Sequence, residues 1–193
     1  MGNCNFKREP EQDTVVLVNK SHFQFHFIIG RGGFGKVWKV QHKKSETLYA
    51  MKEMLKSRVI GKRSVTSVMN ERLLLSTLEH DFIVNMQFAF QDREQLYMVL
   101  DLLDGGDLRY HLSNKKKFSE KQTKFMIANL IISLEYIHDN GVIHRDLKPE
   151  NIVLDKNGYL RITDFGIARV YSSDNKFSSK VRILLAFFSG LAG

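Results

Sequence analysis

A glycine cluster set between two strands limits the folding choices more than any other feature of this chain. Gly30-Arg31-Gly32-Gly33-Phe34-Gly35 reads G-x-G-x-x-G. Before it, over residues 22–29, Phe23, Phe25 and Phe27 alternate with polar neighbours, the period of a half-buried strand. A dinucleotide-binding turn needs a helix directly after the glycines and an acid about 20 residues further on. Here Val37-Trp38-Lys39-Val40 continues as strand, and the later residue is a base, Lys52. A glycine-rich hairpin over nucleotide phosphates fits better, because backbone N–H groups without Cβ atoms approach the oxygens closely. An ordinary tight turn explains two glycines more readily than three at this spacing.

The rest of the first half reads as sheet with one helix. Residues 48–54 are strand-like, and 83–91 and 95–103 are strands joined by Asp92-Arg93-Glu94, short enough for a hairpin loop. Between them, 63–79 has helical spacing, with Val65, Val68, Met69 and Leu75 near one face. Gly105-Gly106 then breaks the pattern and marks a lobe boundary. Ser119 followed by Gln122 is a capping box opening a helix that ends at Asn140-Gly141. That helix carries Ile127, Leu130, Ile131, Leu134 and Ile137 on one face, with Phe125, Ala128 and Ile132 beside them, so central burial is expected. Asn157-Gly158 between 152–154 and 159–163 signals a hairpin.

Composition sets outer bounds. The 193 residues suffice for one domain, or a small domain plus a lobe, and at 43% hydrophobic they can bury a core. One cysteine, Cys4, allows no intrachain disulfide and fits a reducing compartment such as the cytoplasm. No apolar run reaches the ~18 residues of a membrane span, and no secretory signal opens the chain. The net charge of +8 points either to a phosphate-rich partner or to a solvated basic surface. Lys43-Lys44 and Lys115-Lys116-Lys117 have no aromatics interleaved, so no nucleic-acid partner is expected.

Several residues carry chemistry. Lys52 shares a strand face with Ala50 and needs an anion if that face is buried; alone it would read as a snorkelling edge lysine. Glu71 sits at the edge of the helix's apolar face, either exposed at the rim or paired across to the sheet. His144-Arg145-Asp146-Leu147-Lys148-Pro149-Glu150-Asn151 is either a solvated loop or a site, and it precedes Asp164-Phe165-Gly166 by the hairpin. Two acids and an amide brought together this way suit Mg²⁺, which takes few protein oxygens plus phosphate oxygens.

In this order, the glycine loop, the strand lysine, H-R-D-L-K-P-E-N and D-F-G resemble the eukaryotic protein kinases, over about residues 22–170. Lys148 makes the loop similar to that of serine/threonine kinases. The run from Asp101 to Leu112 resembles the AGC group, most of all its YANK-type subfamily. The resemblance implies an α+β, two-lobed fold: an antiparallel five-stranded lobe with one helix at 22–103, then the first part of a helical lobe at 104–170. It implies ATP-dependent phosphoryl transfer to protein serine or threonine hydroxyls, with ATP and Mg²⁺ as cofactors. By the same resemblance Ile29, Gly30, Arg31, Gly32, Gly33, Phe34, Gly35, Lys36 and Val37 drape over the nucleotide, with Ala50 above adenine and Val153 below it. Lys52 holds the α- and β-phosphates, oriented by Glu71. Backbone at Asp101 and Leu103 bonds adenine, and Leu100 guards the pocket behind it. Asp146 accepts the substrate proton, Lys148 steadies the γ-phosphate, and Asn151 and Asp164 ligate Mg²⁺. Asp107 binds ribose or a substrate arginine, and with Glu150 it points to a basic protein substrate. Leu75, Met86, Phe165 and His144 match the family's apolar stack between the lobes.

The pattern departs from the family at both ends. No proline follows Pro149, so the family's Ala-Pro-Glu is absent, and 171–193 reads as a shortened activation segment with a tail at 181–193 unlike a kinase. This sets up a competing expectation: a truncated, catalytically inactive fragment that binds ATP or competes for partners. Ser172, Ser173, Ser178 and Ser179 offer phosphate acceptors that Arg145 would pair with. At the other end, 1–21 reads as a flexible tail. Gly2 and Cys4 with Lys7-Arg8 form a pair of lipidation signals for membrane association, although Phe6 stands where the motif wants serine or threonine.

Overall fold

A computed structural model describes residues 18–171. Gly2, Cys4, the four serines of 172–179 and the segment 181–193 lie outside the described residues. Five strands form one sheet: β1 (Phe23–Arg31), β2 (Gly35–His42), β3 (Leu48–Leu55), β4 (Met86–Gln91) and β5 (Gln95–Asp101). Their order is β1-β2-β3-β5-β4, and every neighbouring pair is antiparallel. One sheet face buries Phe23, Val40, Met51, Tyr97 and Val99; Met54 and Met98 pack with Val59 and Val68 in a separate cluster.

The expected alternation of three phenylalanines holds for only part of β1. Phe23 is buried, but Phe27 is 58% exposed. The pairing with β2 shifts register between Phe25 and Ile28, and such an irregularity turns the following side chains to the other face.

Two helices lie in this lobe rather than the one expected. The short α1 (Lys56–Gly61) precedes α2 (Val65–Thr77). On α2 the buried residues are Val68, Glu71, Leu74 and Leu75, whereas Val65 and Met69 are exposed. The inward stripe is thus 68-71-75, with a carboxylate in its middle, which an apolar-only reading places wrongly.

After the sheet come α3 (Leu108–Lys115), α4 (Glu120–Asp139) and two small strand pairs: β6 (Val142–Ile143) with β9 (Arg169–Val170), and β7 (Ile152–Leu154) with β8 (Leu160–Ile162). Ser119 and Gln122 make the reciprocal capping box that opens α4. Leu130, Leu134 and Ile137 of α4 enter the main core with Ile152, Leu160, Ile162 and Phe165. The other stripe of α4 stays outside, with Phe125, Ile131 and Ile132 exposed, so its burial is one-sided rather than central. The helix α3 and the two-residue strands β6 and β9 went unforeseen, since neither length nor periodicity announces them.

Candidate active site

The turn between β1 and β2 closes with Gly32 N donating to Gly35 O at 3.0 Å. A Cβ on Gly35 would stand 1.9 Å from the Glu53 carbonyl oxygen, so this glycine is dictated by the close approach of β3. Around Gly32 no atom lies within 4 Å of where a Cβ would stand. That glycine answers to no neighbour in the chain and leaves the turn open to a ligand. Lys62 Nζ donates to Gly33 O at 3.0 Å and steadies the tip. Beneath the turn lies an open cleft lined by Gly32, Phe34, Lys52, Glu71, Ser67 and Asp164 among others.

Antiparallel register sets Lys52 opposite Val37, and its ammonium donates to both Glu71 oxygens at 2.8 Å. Glu71 is 4% exposed, which decides between the rim and the paired reading. Removing either partner would leave a poorly solvated charge behind. The helix carrying Glu71 is itself tied down. Ser67 Oγ donates to Gly166 O, and Asn70 Nδ2 donates to Ala168 O at 2.8 Å. Sequence reasoning missed both residues. Their places near Glu71 were visible, but their partners nearly 100 residues away were not.

The loop between β6 and β7 gathers the acids. Asp146 Oδ2 accepts from Lys148 Nζ at 2.7 Å and from Asn151 Nδ2 at 2.8 Å. Burial works against the charged form of Asp146, yet the hydrogen bonds from Lys148 and Asn151 outweigh it and hold the carboxyl below its ordinary value. The same bond raises Lys148 above the usual lysine value. Arg145 in this loop has φ 68° and Asp164 after β8 has φ 61°, two of the five non-glycine residues with left-handed backbone among those described. Arg145 Nε donates to Ile167 O at 2.7 Å, which fixes the chain just after Asp164-Phe165-Gly166.

His144 is 1% exposed and sits edge-on to Phe165, ring centroids 4.9 Å apart. Its Nε2 donates to Thr163 O at 2.9 Å and its Nδ1 accepts from Asp146 N at 3.3 Å, so its partners select the neutral ring. Burial lowers its pKa accordingly. Leu75 and Phe165 share the main core, with Met86 packed against it, so the four residues of the expected stack share one buried region.

Residues 101–105, which lead from β5 towards α3, form the hinge between the two lobes. Ala50 pairs with Leu100 across β3 and β5, and Val153 forms a bridge with Asp107. Leu103 packs on the main core. Asp107 Oδ1 caps α3 by accepting from Tyr110 N at 2.7 Å, and Glu150 Oε1 accepts from Arg109 Nε at 2.9 Å. Both acids expected to face substrate therefore have partners within the chain. At the outer end, Ile29 is 43% exposed, Arg31 is exposed, and the Lys36 ammonium lies 5.6 Å from the Trp38 ring centre.

Asn151 uses its amide nitrogen on Asp146, which leaves its oxygen available; Asp164 Oδ1 accepts from Gly166 N at 3.2 Å. One amide oxygen and one carboxylate form a sparse set of hard oxygens. Among the described residues no cluster of three or more His, Cys, Asp or Glu could hold a metal. A sparse set fits Mg²⁺, which completes its shell with phosphate oxygens and water.

Comparison with known proteins agrees with this geometry. The protein kinase domain matches residues 23–184, which runs beyond the 22–170 expected from the motifs. Human serine/threonine-protein kinase 32B is 44% identical over 179 residues, covering 93% of this chain and 43% of the relative. Human serine/threonine-protein kinase 32C is 45% identical over 163 residues, covering 84% and 34%. A RAC family serine/threonine-protein kinase homolog from Dictyostelium discoideum is 38% identical over 165 residues, covering 86% and 37%. The chain thus spans less than half the length of these curated relatives. With a glycine turn over a cleft, a buried lysine–glutamate pair and an acidic loop in register with that match, the chain belongs to the protein kinase domain family, and the relatives it matches are serine/threonine-protein kinases.

Proposed function

We propose that this chain transfers the γ-phosphoryl group of ATP to a serine or threonine hydroxyl of a protein. The observation that carries the reading is one hydrogen-bonded unit, Lys148–Asp146–Asn151, together with Asp164 and the Lys52–Glu71 pair lining the cleft under the glycine turn. Lys52 holds the α- and β-phosphates while Glu71 fixes its ammonium. The open turn at Gly32 offers backbone N–H groups to the phosphates. Asp146, kept ionised, orients the substrate hydroxyl and accepts its proton as the oxygen bonds to the γ-phosphorus. The bond from that phosphorus to the β-bridging oxygen breaks, and ADP leaves. Lys148 faces the charge carried by the transferred group. Asn151 and Asp164 would hold Mg²⁺, which supplies neutralisation of phosphate charge when bound. Catalysis of this kind is mostly positioning and charge stabilisation.

The finer readings follow from the same site. A basic protein substrate would compete with Arg109 for Glu150, an exposed pair that yields cheaply. Among the described residues no helix is long and apolar enough to cross a membrane. Membrane association is assigned instead to acyl groups on Gly2 and Cys4, and intact-mass measurement of the native protein tests it.

The test of the main reading compares the wild-type chain with Asp146→Asn. Phosphate transfer from radiolabelled Mg-ATP to a mixed basic peptide should fall by about 10²–10⁴, the usual share of a positioned base. ATP affinity should hold within about twofold, since Asn keeps the shape. Equal turnover by both proteins would overturn the assignment of Asp146. Binding of ATP without turnover by wild type would favour the binding-module alternative.

A further inference from the structure

The backs of the hinge and of the β7–β8 hairpin meet in a polar cluster that the phosphoryl-transfer reading does not use. Arg161, in β8, stands opposite Val153 in the hairpin register. Its Nη1 donates to Ile83 O at 3.3 Å and reaches Asp101 Oδ2 at 3.4 Å; its Nη2 lies 3.7 Å from Asp155 Oδ2. The three side chains are only 20%, 24% and 12% exposed. Asp101 also accepts from Asn85 N and Asn85 Nδ2, both at 3.1 Å, and from Gln87 Nε2 at 3.2 Å. Arg161 Nε is buried with no hydrogen-bond partner, so the guanidinium is held through its two terminal nitrogens.

Asp101 is the first residue of the hinge. The far end of that hinge is fastened to the same hairpin by backbone bonds. Gly105 N donates to Leu154 O at 3.0 Å, and Leu154 N donates to Gly106 O at 2.9 Å. The approach is so close that a Cβ on Gly105 would lie 2.5 Å from the Leu154 carbonyl oxygen. One hairpin therefore grips both ends of residues 101–105, by a side chain from β8 and by main chain from β7. The same hairpin carries Val153, the expected floor of the adenine slot.

We propose that Arg161 and the Asp101 carboxylate are positioning residues that set the height of the adenine slot between hinge and floor. The inference rests on the nucleotide reading above, but it concerns the base end of the ligand alone. A guanidinium suits the task because its fork reaches two carboxylates and a carbonyl at once, which a lysine ammonium on a flexible stem cannot do with the same geometry. Loss of the fork leaves the Asp101 and Asp155 carboxylates without the cation they share, and the hinge end is released from the hairpin. The phosphate end, built on the glycine turn and Lys52, belongs to other elements.

The test uses the full chain with Arg161→Lys and, because a buried arginine can be needed for folding, Asp101→Asn as a near-isosteric second variant. Affinities for ATP and for inorganic tripolyphosphate are measured by calorimetry, and amide exchange is followed without ligand. ATP should bind about tenfold more weakly to both variants, the scale of one lost charge-assisted hydrogen bond. Tripolyphosphate should bind as to wild type. Exchange at Asn85 and Asp101 should accelerate while Leu130 in α4 stays protected. An equal fall for both ligands would mean general loosening and would overturn the proposal, as would unchanged ATP affinity. Failure of wild type to bind either ligand would overturn the nucleotide reading itself, and the exchange data would still decide whether the hairpin grips the hinge.

Discussion

The sheet lobe and the helical lobe reach order by different routes. In the sheet, β1, β2 and β3 pair in chain order, β3 then pairs with β5 across α1, α2 and β4, and Met54 and Met98 pack on Val59 of α1 and Val68 of α2. Below it, α4 buries Leu130, Leu134 and Ile137 on one stripe and exposes Phe125, Ile131 and Ile132 on the other. The acidic loop is held by bonds to the segment that follows β8, such as Arg145 Nε to Ile167 O and Thr163 N to Asn151 O. The difference teaches where the chain is tolerant. The sheet resists change at points of close backbone approach, whereas α4 is sensitive on one side only.

The largest expected effect sharpens the contrast within α4. Ile137→Ala removes a side chain that is 0% exposed and should cost about 2–5 kcal/mol, lowering Tm by several degrees or more. Ile132→Ala, at 43% exposure, should change stability by about 0.5 kcal/mol or less. Thermal melts of the two variants decide the matter. Equal losses would mean that the outer stripe is covered in solution, and the one-sided picture would fail.

A smaller effect belongs to the sheet. Gly35→Ala forces a methyl against the Glu53 carbonyl and should cost about 1–3 kcal/mol, with β2 shifting away from β3. Gly32→Ala, which meets nothing, should leave Tm nearly unchanged and weaken ATP instead. Melts with and without Mg-ATP separate the two. A destabilising Gly32→Ala that left nucleotide binding intact would reverse the roles given to the two glycines.

Much of this was legible in the chain of letters, and the part that was not has a physical reason. Strands β2, β3 and β5 and the ends of α4 follow from alternation and from Ser119 and Gln122, which are local signals. Phe27 escaped because an irregularity in pairing leaves no mark in composition. Glu71 was ambiguous because a helix rim and a cross-sheet partner look alike until the sheet is in place. Among the site residues, Lys52, Asp146, Asn151 and Asp164 stood out by motif. Ser67, Asn70 and Arg161 did not, since each acts on a backbone or carboxylate partner supplied by another element. Tertiary proximity, not residue type, sets their contacts.

The smallest effect tests the packing around His144, between the acidic loop and Phe165. The ring is neutral in the fold: Nε2–H serves Thr163 O, and a second proton on Nδ1 would face the Asp146 N–H. Burial lowers its pKa, while an unfolded chain keeps the ordinary value near 6.5. Between the two values the unfolded state binds more protons, so stability rises with pH there. The contribution of His144 is therefore complete above about pH 6.5 and is lost as pH falls toward its folded value, at no more than about 1.4 kcal/mol per pH unit. Wild-type Tm should decline between about pH 7 and 5.5 more steeply than that of His144→Gln, which cannot titrate. Parallel slopes would show that the ring charges freely within the fold. It would then lie in a wetter site than its contacts with Phe165 and Thr163 describe.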